Sequence, residues 1–413
     1  MALAPSVPLL EPHVELPTDE ELPGLSSLLD ERWVWETFCE NLGRPQEAPH
    51  RIRPRQIRYT PGKRAMVSYI AEWNRDEWVE EDQFAAECDA DGSTRFFHFP
   101  DDPALPGLRS AASAVEAQDL VTRYVPVSPS VVRVEAVRYR PMTRAVLRHT
   151  ARWKKSGGSK ISLFVRVMPL DKLPRLLTAW DLAEQSGFVL PKLMGVWDDG
   201  GVVWMNKIRG QTVRKRIHAG KAPEPGLLLD AVSGLWSAPL KDGQGQAANV
   251  EQGYRSTHRL FAHILKGNDD ALSVLESLRS DLKPFAAAWQ PTALAHNDFY
   301  DDQVILTKER KLALVDFEEI GPGDPMLDVG NLLAHQRWMS QSEAAREVCG
   351  DYRRRFRAEA LARFGWKEDD LNLREAYCLF RLSTNPFRRL SPKWRDQTVK
   401  GLRLAKEALA ASH

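Results

Sequence analysis

One stretch of this sequence gathers groups that can do chemistry. Ala295-His296-Asn297-Asp298-Phe299-Tyr300-Asp301-Asp302-Gln303-Val304-Ile305-Leu306 is followed, after a short polar turn, by Leu314-Val315-Asp316-Phe317-Glu318-Glu319. A phosphoryl group in transfer asks little covalent chemistry of a protein. It needs a carboxylate that positions the attacking hydroxyl, and oxygen ligands that hold magnesium against the phosphates. Asp298, Gln303 and Asp316 supply such groups within twenty residues of chain. Asp301 and Asp302 share the loop. They either form a solvated turn or disfavour an anion and suit a cationic or polyhydroxyl acceptor. Glu318 and Glu319 carry the same ambiguity.

The elements around this loop must place those groups together. The apolar runs on either side of Thr307-Lys-Glu-Arg-Lys311 read as a hairpin, which brings Gln303 and Asp316 to neighbouring positions on adjacent strands. Upstream, residues 130–207 read as a small antiparallel sheet with one helix packed on it. Its strands fall near 161–168, 191–197 and 202–205, its hairpin tip at 154–160 and its helix at 171–187. Residues 211–290 read as mostly helical with polar loops such as 242–246, and helices return after Phe317. A small sheet lobe, a link and a large helical lobe make an α+β class.

Two stretches of the N-terminal half repeat. Arg58-Tyr59-Thr-Pro61-Gly-Lys-Arg64-Ala65 matches Arg138-Tyr139-Arg-Pro141-Met-Thr-Arg144-Ala145, displaced by 80 residues. Phe96-Phe-His-Phe and Ala104-Leu-Pro-Gly-Leu match Phe164-Val-Arg-Val and Lys172-Leu-Pro-Arg-Leu, displaced by 68. A duplication with an extra hairpin in the first copy accounts for both offsets. Each copy reads as strands followed by a helix. The expected division is a loosely ordered tail at 1–24, a cap at 25–129, a small lobe and link at 130–207, and a helical lobe at 208–413.

Composition narrows the classes. The 413 residues are 43% hydrophobic, enough for two or three cores, and 13 Trp and 15 Phe supply core material. A net charge of +1 gives no global field for nucleic acid or membrane. Four cysteines without Cys-x-x-Cys spacing argue against a disulfide framework. The start Met1-Ala-Leu-Ala-Pro has neither a basic region nor a long apolar run. The expectation is a cytoplasmic protein with a small-molecule acceptor as partner, no nucleic acid and no membrane. Residues 379–413 hold eight Lys or Arg against two acids, read first as a solvated helix face and second as an anion site. His258, His263 and His335 show no ligand spacing. Trp338 and Trp394 fall in the stretch expected to hold the acceptor.

Taken in order, His-x-Asp, the apolar-apolar-Asp and Gly323-Asp324-Pro325-Met-Leu-Asp328-Val-Gly-Asn331 resemble the aminoglycoside phosphotransferase and choline kinase families. The resemblance covers residues 130–413 and is strongest from 295 to 335. It implies a protein-kinase-like two-lobe fold preceded by a cap that duplicates part of the small lobe. It implies an ATP-dependent small-molecule kinase, using ATP and Mg2+ to phosphorylate a hydroxyl of a sugar, aminoglycoside or similar acceptor. By the same resemblance Asp298 is the catalytic carboxylate and His296 braces its loop. Asp316 and Gln303 hold magnesium, and Asp324 and Asp328 cap backbone amides, tying the loop after Asp316 to the following helix. Arg166 and Arg144 face the phosphates, as does Arg138, and Trp204, Met205 and Asn206 line the adenine pocket. Three positions depart from the family pattern. Gln303 stands where Asn is usual, Arg166 replaces the phosphate-gripping Lys, and the acid that would pair with that Lys is absent from the next helix, where Arg175, Thr178 and Glu184 stand. A catalytically weak or inactive nucleotide-binding scaffold, and a kinase acting on a peptide hydroxyl, remain alternatives.

Overall fold

The computed structural model describes residues 7–153, 160–240 and 245–410. The expected hairpin tip at 154–160 lies almost wholly outside them, as does most of the polar loop at 242–246. The chain forms two compact units. One comprises Met1–Leu170, Met194–Trp204 and Asn385–Thr398; the other comprises Asp171–Leu193, Met205–Thr384 and Val399–His413. The class is α+β, as expected. Among the described residues no helix is long and apolar enough to cross a membrane.

The first unit holds two five-stranded sheets. Strands β1 (Leu9–Leu10), β2 (Arg51–Thr60), β3 (Arg64–Asn74), β4 (Val79–Asp89) and β5 (Thr94–His98) follow one another in space as in sequence. The second sheet contains β6 (Val131–Arg140), β7 (Arg144–Arg152), β8 (Lys160–Val167), β9 (Leu193–Trp197) and β10 (Val202–Asn206), in the order β6-β7-β8-β10-β9. The duplication is visible in the register. Arg58, Tyr59 and Thr60 pair with Met66, Ala65 and Arg64, while Arg138, Tyr139 and Arg140 pair with Val146, Ala145 and Arg144. In sheet order β4 takes the place of β8. The segment 96–99, aligned by sequence with 164–167, therefore sits one strand further out.

Two expectations need correction. Residues 7–24 are not a loose tail. Leu9 and Leu10 pair with Arg51 and Ile52, and buried Asp19 accepts from the Tyr59 hydroxyl at 2.6 Å and the Gly62 amide at 2.9 Å. The same device recurs in the second copy. Asp102 accepts from the Tyr139 hydroxyl at 2.9 Å and the Met142 amide at 2.7 Å. Asp19 opens Asp-Glu-Glu-Leu-Pro-Gly-Leu25, and Asp102 opens Asp-Pro-Ala-Leu-Pro-Gly-Leu108. Secondly, the helix packed on each sheet precedes it in the chain. Helix α1 (Glu31–Leu42), capped by Asp30, sets Phe38 edge-on to Phe84 of β4 at 5.1 Å. Helices α2 (Leu108–Ala112) and α3 (Ala114–Tyr124) bury Leu108, Ala111 and Val121 against Leu147, Leu163 and Trp204 of the second sheet. Alternation along β7 and β8 puts the small and branched residues on that one face. The expected partner, α4 (Leu173–Ala183), groups instead with the helical unit.

The second unit is mainly helical. It contains α5 (Val213–His218), α6 (Pro225–Trp236), α7 (Val250–Ile264), α8 (Asp269–Ala288), α9 (Pro325–Met339), α10 (Arg346–Phe364) and α11 (Glu368–Leu382). Helix α7 shows why such segments fold: Val250, Tyr254, Thr257, Leu260, Phe261 and Ile264 are buried at helical spacing, and Asn249 caps the first turn. After α11 come α12 (Asn385–Arg388) and α13 (Trp394–Ala410). Trp394 is buried in the first unit, its indole donating to the Glu15 carbonyl at 3.0 Å, so it lines no acceptor site in the helical unit.

Candidate active site

Two short ladders hold the chemical loop. Strand β11 (Gly210–Thr212) pairs with β13 (Val304–Thr307), which pairs with β14 (Leu312–Leu314); β12 (Ala293–Ala295) pairs with β15 (Gly321–Gly323). Loop 296–303 therefore leaves one ladder and enters the other, and loop 315–320 does the reverse. Gln303 and Asp316 fall where the hairpin reading puts them, with the Val315 amide donating to the Gln303 carbonyl at 2.9 Å.

Backbone strain gathers here. Asn297 and Asp316 adopt φ of 64° and 66°, in the left-handed region that residues with a Cβ rarely enter. Asn297 is held by its side-chain amide, which donates to the Glu319 carbonyl at 2.9 Å. Gly323 makes room for it, since a Cβ there would lie 2.1 Å from Asn297 Oδ1. Beneath the loop lies Asp328 of α9. Its carboxylate accepts from the His296 and Asn297 amides, both at 2.8 Å, and from Trp236 Nε1 at 3.0 Å. Asp324 caps α9 as expected, accepting from the Met326 amide. Asp328 does something else: from the first turn of that helix it reaches back and fixes the loop of Asp298.

Among the described residues Asp298 itself accepts only from amides, Gln303 Nε2 at 2.9 Å on one oxygen and Asn331 Nδ2 at 3.4 Å on the other. Burial pushes its carboxyl up to about 6, while the Arg381 charge opposes that rise. Asp301, three residues on, is entirely different. It is fully buried and takes two Arg214 nitrogens, the closer at 2.8 Å, together with Gln336 Nε2 at 2.5 Å. Arg214 also bonds Asp302 and lies 5.3 Å over the Tyr300 ring, which stacks on His335 at 4.1 Å. The acidic pair is thus locked into a structural ion cluster, neither a solvated turn nor a field facing an acceptor. His335 belongs to this cluster.

His296 is sealed in. Neither ring nitrogen has a hydrogen-bond partner among the described residues, and burial lowers its imidazole to about 4, so it braces the loop as a neutral ring packed 5.9 Å from Phe299. Gln303 is also buried, and its Oε1 has no hydrogen-bond partner among the described residues. An enclosed carbonyl oxygen without a donor fits a hard cation, and Mg2+ needs only one or two protein ligands when phosphates and water complete its shell. No cluster of three His, Cys, Asp or Glu among the described residues forms a metal site by itself.

The other expected residues lie in or beside the second sheet. Arg166 on β8 pairs with Val146, which pairs with Arg138, and Arg144 pairs with Arg140. Residues paired directly, or two apart on a strand, share a face, so these four arginines lie on one side of this sheet, together with Arg148 and its partner Glu135. Trp204 is fully buried on the core side, its indole donating to His149 Nδ1 at 3.3 Å and stacked on Tyr124. That side chain is closed to a nucleotide. Met205 is half-buried, and Asn206 exchanges two bonds with the Lys192 backbone. Arg175 on α4 meets Glu319 and Gln246. Sequence reasoning missed Arg214 and Arg381 entirely. It quoted Asn331 without a role, although Asn331 stands three residues after Asp328 in the third motif.

Residues 208–372 match the model of the phosphotransferase enzyme family, APH. No curated protein matches the chain. Among solved structures the chain is similar to a choline/ethanolamine kinase family protein from Mesorhizobium loti, with 15% identity over 73% of this chain and 92% of that one, at a TM-score of 0.46. It is similar to ADP-bound aminoglycoside phosphotransferase APH(2'')-Ib, with 16% identity over 71% and 98% at 0.46. A third is choline kinase LicA from Streptococcus pneumoniae, with 14% identity over 71% and 98% at 0.45.

Proposed function

We propose, taking residues 208–372 as a segment of the phosphotransferase enzyme family, that this protein transfers the γ-phosphate of ATP to a hydroxyl of a small molecule such as a sugar. The observation that carries the reading is the state of Asp298: half-buried, held by two amides, and not neutralised by any ion pair among the described residues. Burial raises its basicity, yet near pH 7 a carboxyl at about 6 is still mostly ionised and can accept a proton.

In this reading the acceptor hydroxyl bonds to Asp298. As its oxygen forms a bond to the γ-phosphorus, the bond from that phosphorus to the β–γ bridging oxygen breaks, ADP leaves, and Asp298 takes the hydroxyl proton. Gln303 has two tasks: its Nε2 fixes Asp298, and its Oε1, together with the Asp316 carboxylate, would hold Mg2+. Mg2+, when bound, neutralises charge on the phosphates. Asn331 and Asp328 hold the loop, so the hydroxyl meets a preset carboxylate. Arg144 and Arg166, on the arginine face of the second sheet, are assigned to phosphate contact. The cytoplasm is the compartment this reading implies.

The test is 31P NMR of Mg-ATP with the protein and a panel of sugars, aminoglycosides and amino alcohols. A new phosphomonoester resonance with matching ADP supports the assignment. ATP bound but unconsumed across the panel, with no phosphomonoester formed, favours a nucleotide-binding scaffold.

A further inference from the structure

We propose that Arg381 binds an anionic group, a carboxylate or a phosphate monoester, on the acceptor whose hydroxyl Asp298 aligns; this rests on the phosphotransferase reading above.

The geometry begins with α11. Its residues pack along α9, with Gly330 against the backbone of Arg374 and Glu375, and Cys378 Sγ 3.9 Å from the Leu327 carbonyl. Three residues forward on α11 answer three residues back on α9. The next turn therefore brings Arg381 to the level of the α9 N-terminus, where Asp328 holds the Asp298 loop. The guanidinium lies 5.8 Å over the Tyr377 ring, and that ring is itself anchored by its hydroxyl, which donates to the Val250 carbonyl at 3.0 Å. A flat cation on a fixed aromatic face is held in place before any ligand arrives.

Arg381 also differs from its neighbours in having no carboxylate. Arg374 bonds Asp324, while Arg337 and Arg353 share buried Glu375. The Arg381 guanidinium makes no hydrogen bond or ion pair with the described residues, and the residue is exposed. Protein nevertheless surrounds it closely enough for desolvation to oppose its charge, and Asp298 and Glu319 lie within electrostatic reach without touching it. A gap thus separates a cation from the reactive carboxylate. Asp301 and Asp302, the acids of the loop that could favour a cationic acceptor, share the Arg214 guanidinium. An arginine with open donors matches carboxylate and phosphate oxygens in pairs.

The test uses glucose, glucuronate and glucose 6-phosphate as probes, with the full chain, Mg2+ and a non-hydrolysable ATP analogue, read by ligand-observed NMR. At least one anionic probe should bind tenfold or more tightly than glucose, and comparison of the two identifies the anion. Arg381→Gln should abolish that preference and Arg381→Lys restore part of it. Equal binding of all three probes by the wild type, or a preference that survives Arg381→Gln, overturns the proposal. ATP turnover is read separately. An anion preference without turnover leaves this site standing and sinks the phosphotransferase reading, while turnover without the preference does the reverse.

Discussion

The two sheets of the first unit are copies that have parted company. Each has a Tyr whose hydroxyl donates to a buried Asp, and each has that Asp gripping the amide of a turn residue with positive φ, Gly62 in one and Met142 in the other. Each also ties its second strand to the preceding helical segment by one polar side chain. Tyr69 donates to the Leu28 carbonyl at 2.5 Å, and His149 bonds the Ala111 carbonyl at 2.8 Å. They differ where charge is concerned. Met66, facing Arg58, pairs across to Glu87, which binds Arg95 and lies 4.0 Å from Arg64; Val146, facing Arg138, pairs instead to Arg166. The first sheet supplies its own counter-charge on this face. The second has arginine at the matching position, and its acid on this face, Glu135, stands further along the strands, paired with Arg148. Duplication preserved the scaffold and let one face change its chemistry, which is why phosphate contact is assigned to the second copy alone.

Reversing that difference should have the largest effect. Arg166→Glu, which restores the charge sign of the first copy, should raise the KM for ATP by about 10- to 100-fold, the worth of a charge-assisted hydrogen bond. Glu87→Arg should leave that KM within about twofold, since Glu87 faces no proposed ligand. Equal sensitivity of the two copies in steady-state kinetics would break the comparison.

The paired polar ties give the next prediction. Trp204 donates to His149 Nδ1, so Nε2 carries the proton and donates to Ala111 in the neutral ring. Burial lowers this imidazole from its ordinary 6.5 to about 4. A group depressed in the folded state contributes stability above its unfolded pKa, and that contribution drains as pH falls from about 6.5 toward 4. The loss amounts to about 3 kcal/mol at most. Tyr69, its counterpart, does not titrate in that range. Denaturant unfolding of His149→Gln at pH 7 and pH 4.5 should show a flatter pH dependence than the wild type, and Tyr69→Phe should not.

The smallest effect concerns the turns. Asp19→Asn and Asp102→Asn each weaken one carboxylate grip, at about 1–3 kcal/mol. Asp102→Asn should cost more by about 1 kcal/mol, because Met142 carries a Cβ at φ 60° where Gly62 has none. Thermal unfolding of the two variants side by side checks the order.

How much of this was legible beforehand depends on how far apart the partners lie in the chain. Asp298, Gln303 and Asp316 belong to one hairpin and its flanking loop, so spacing alone brought them together. Arg214 and Asp301 are 87 residues apart, and nothing local marks Asp301 as neutralised. Asp19 finds Tyr59 forty residues on, which is why its segment read as a loose tail. A signal was present, since Asp-x-x-Leu-Pro-Gly-Leu occurs before both sheets. The helix order was misread because 108–124 lies between the copies, and only the apolar face of β7 and β8 decides which sheet it covers. Arg381 sat in a basic stretch whose other cations disguise it. What distinguishes it is the lack of a carboxylate partner among the described residues, a property of the packed structure.

The central claim is that Asp298 serves as the base in phosphoryl transfer. Asp298→Asn keeps the size of the side chain and removes its basicity. ADP release should therefore be measured for wild type and Asp298→Asn with Mg-ATP and the best acceptor of the panel, alongside ATP binding. The account predicts a fall in turnover of about 10²- to 10⁴-fold with ATP binding retained. Turnover within a few-fold of wild type would contradict it.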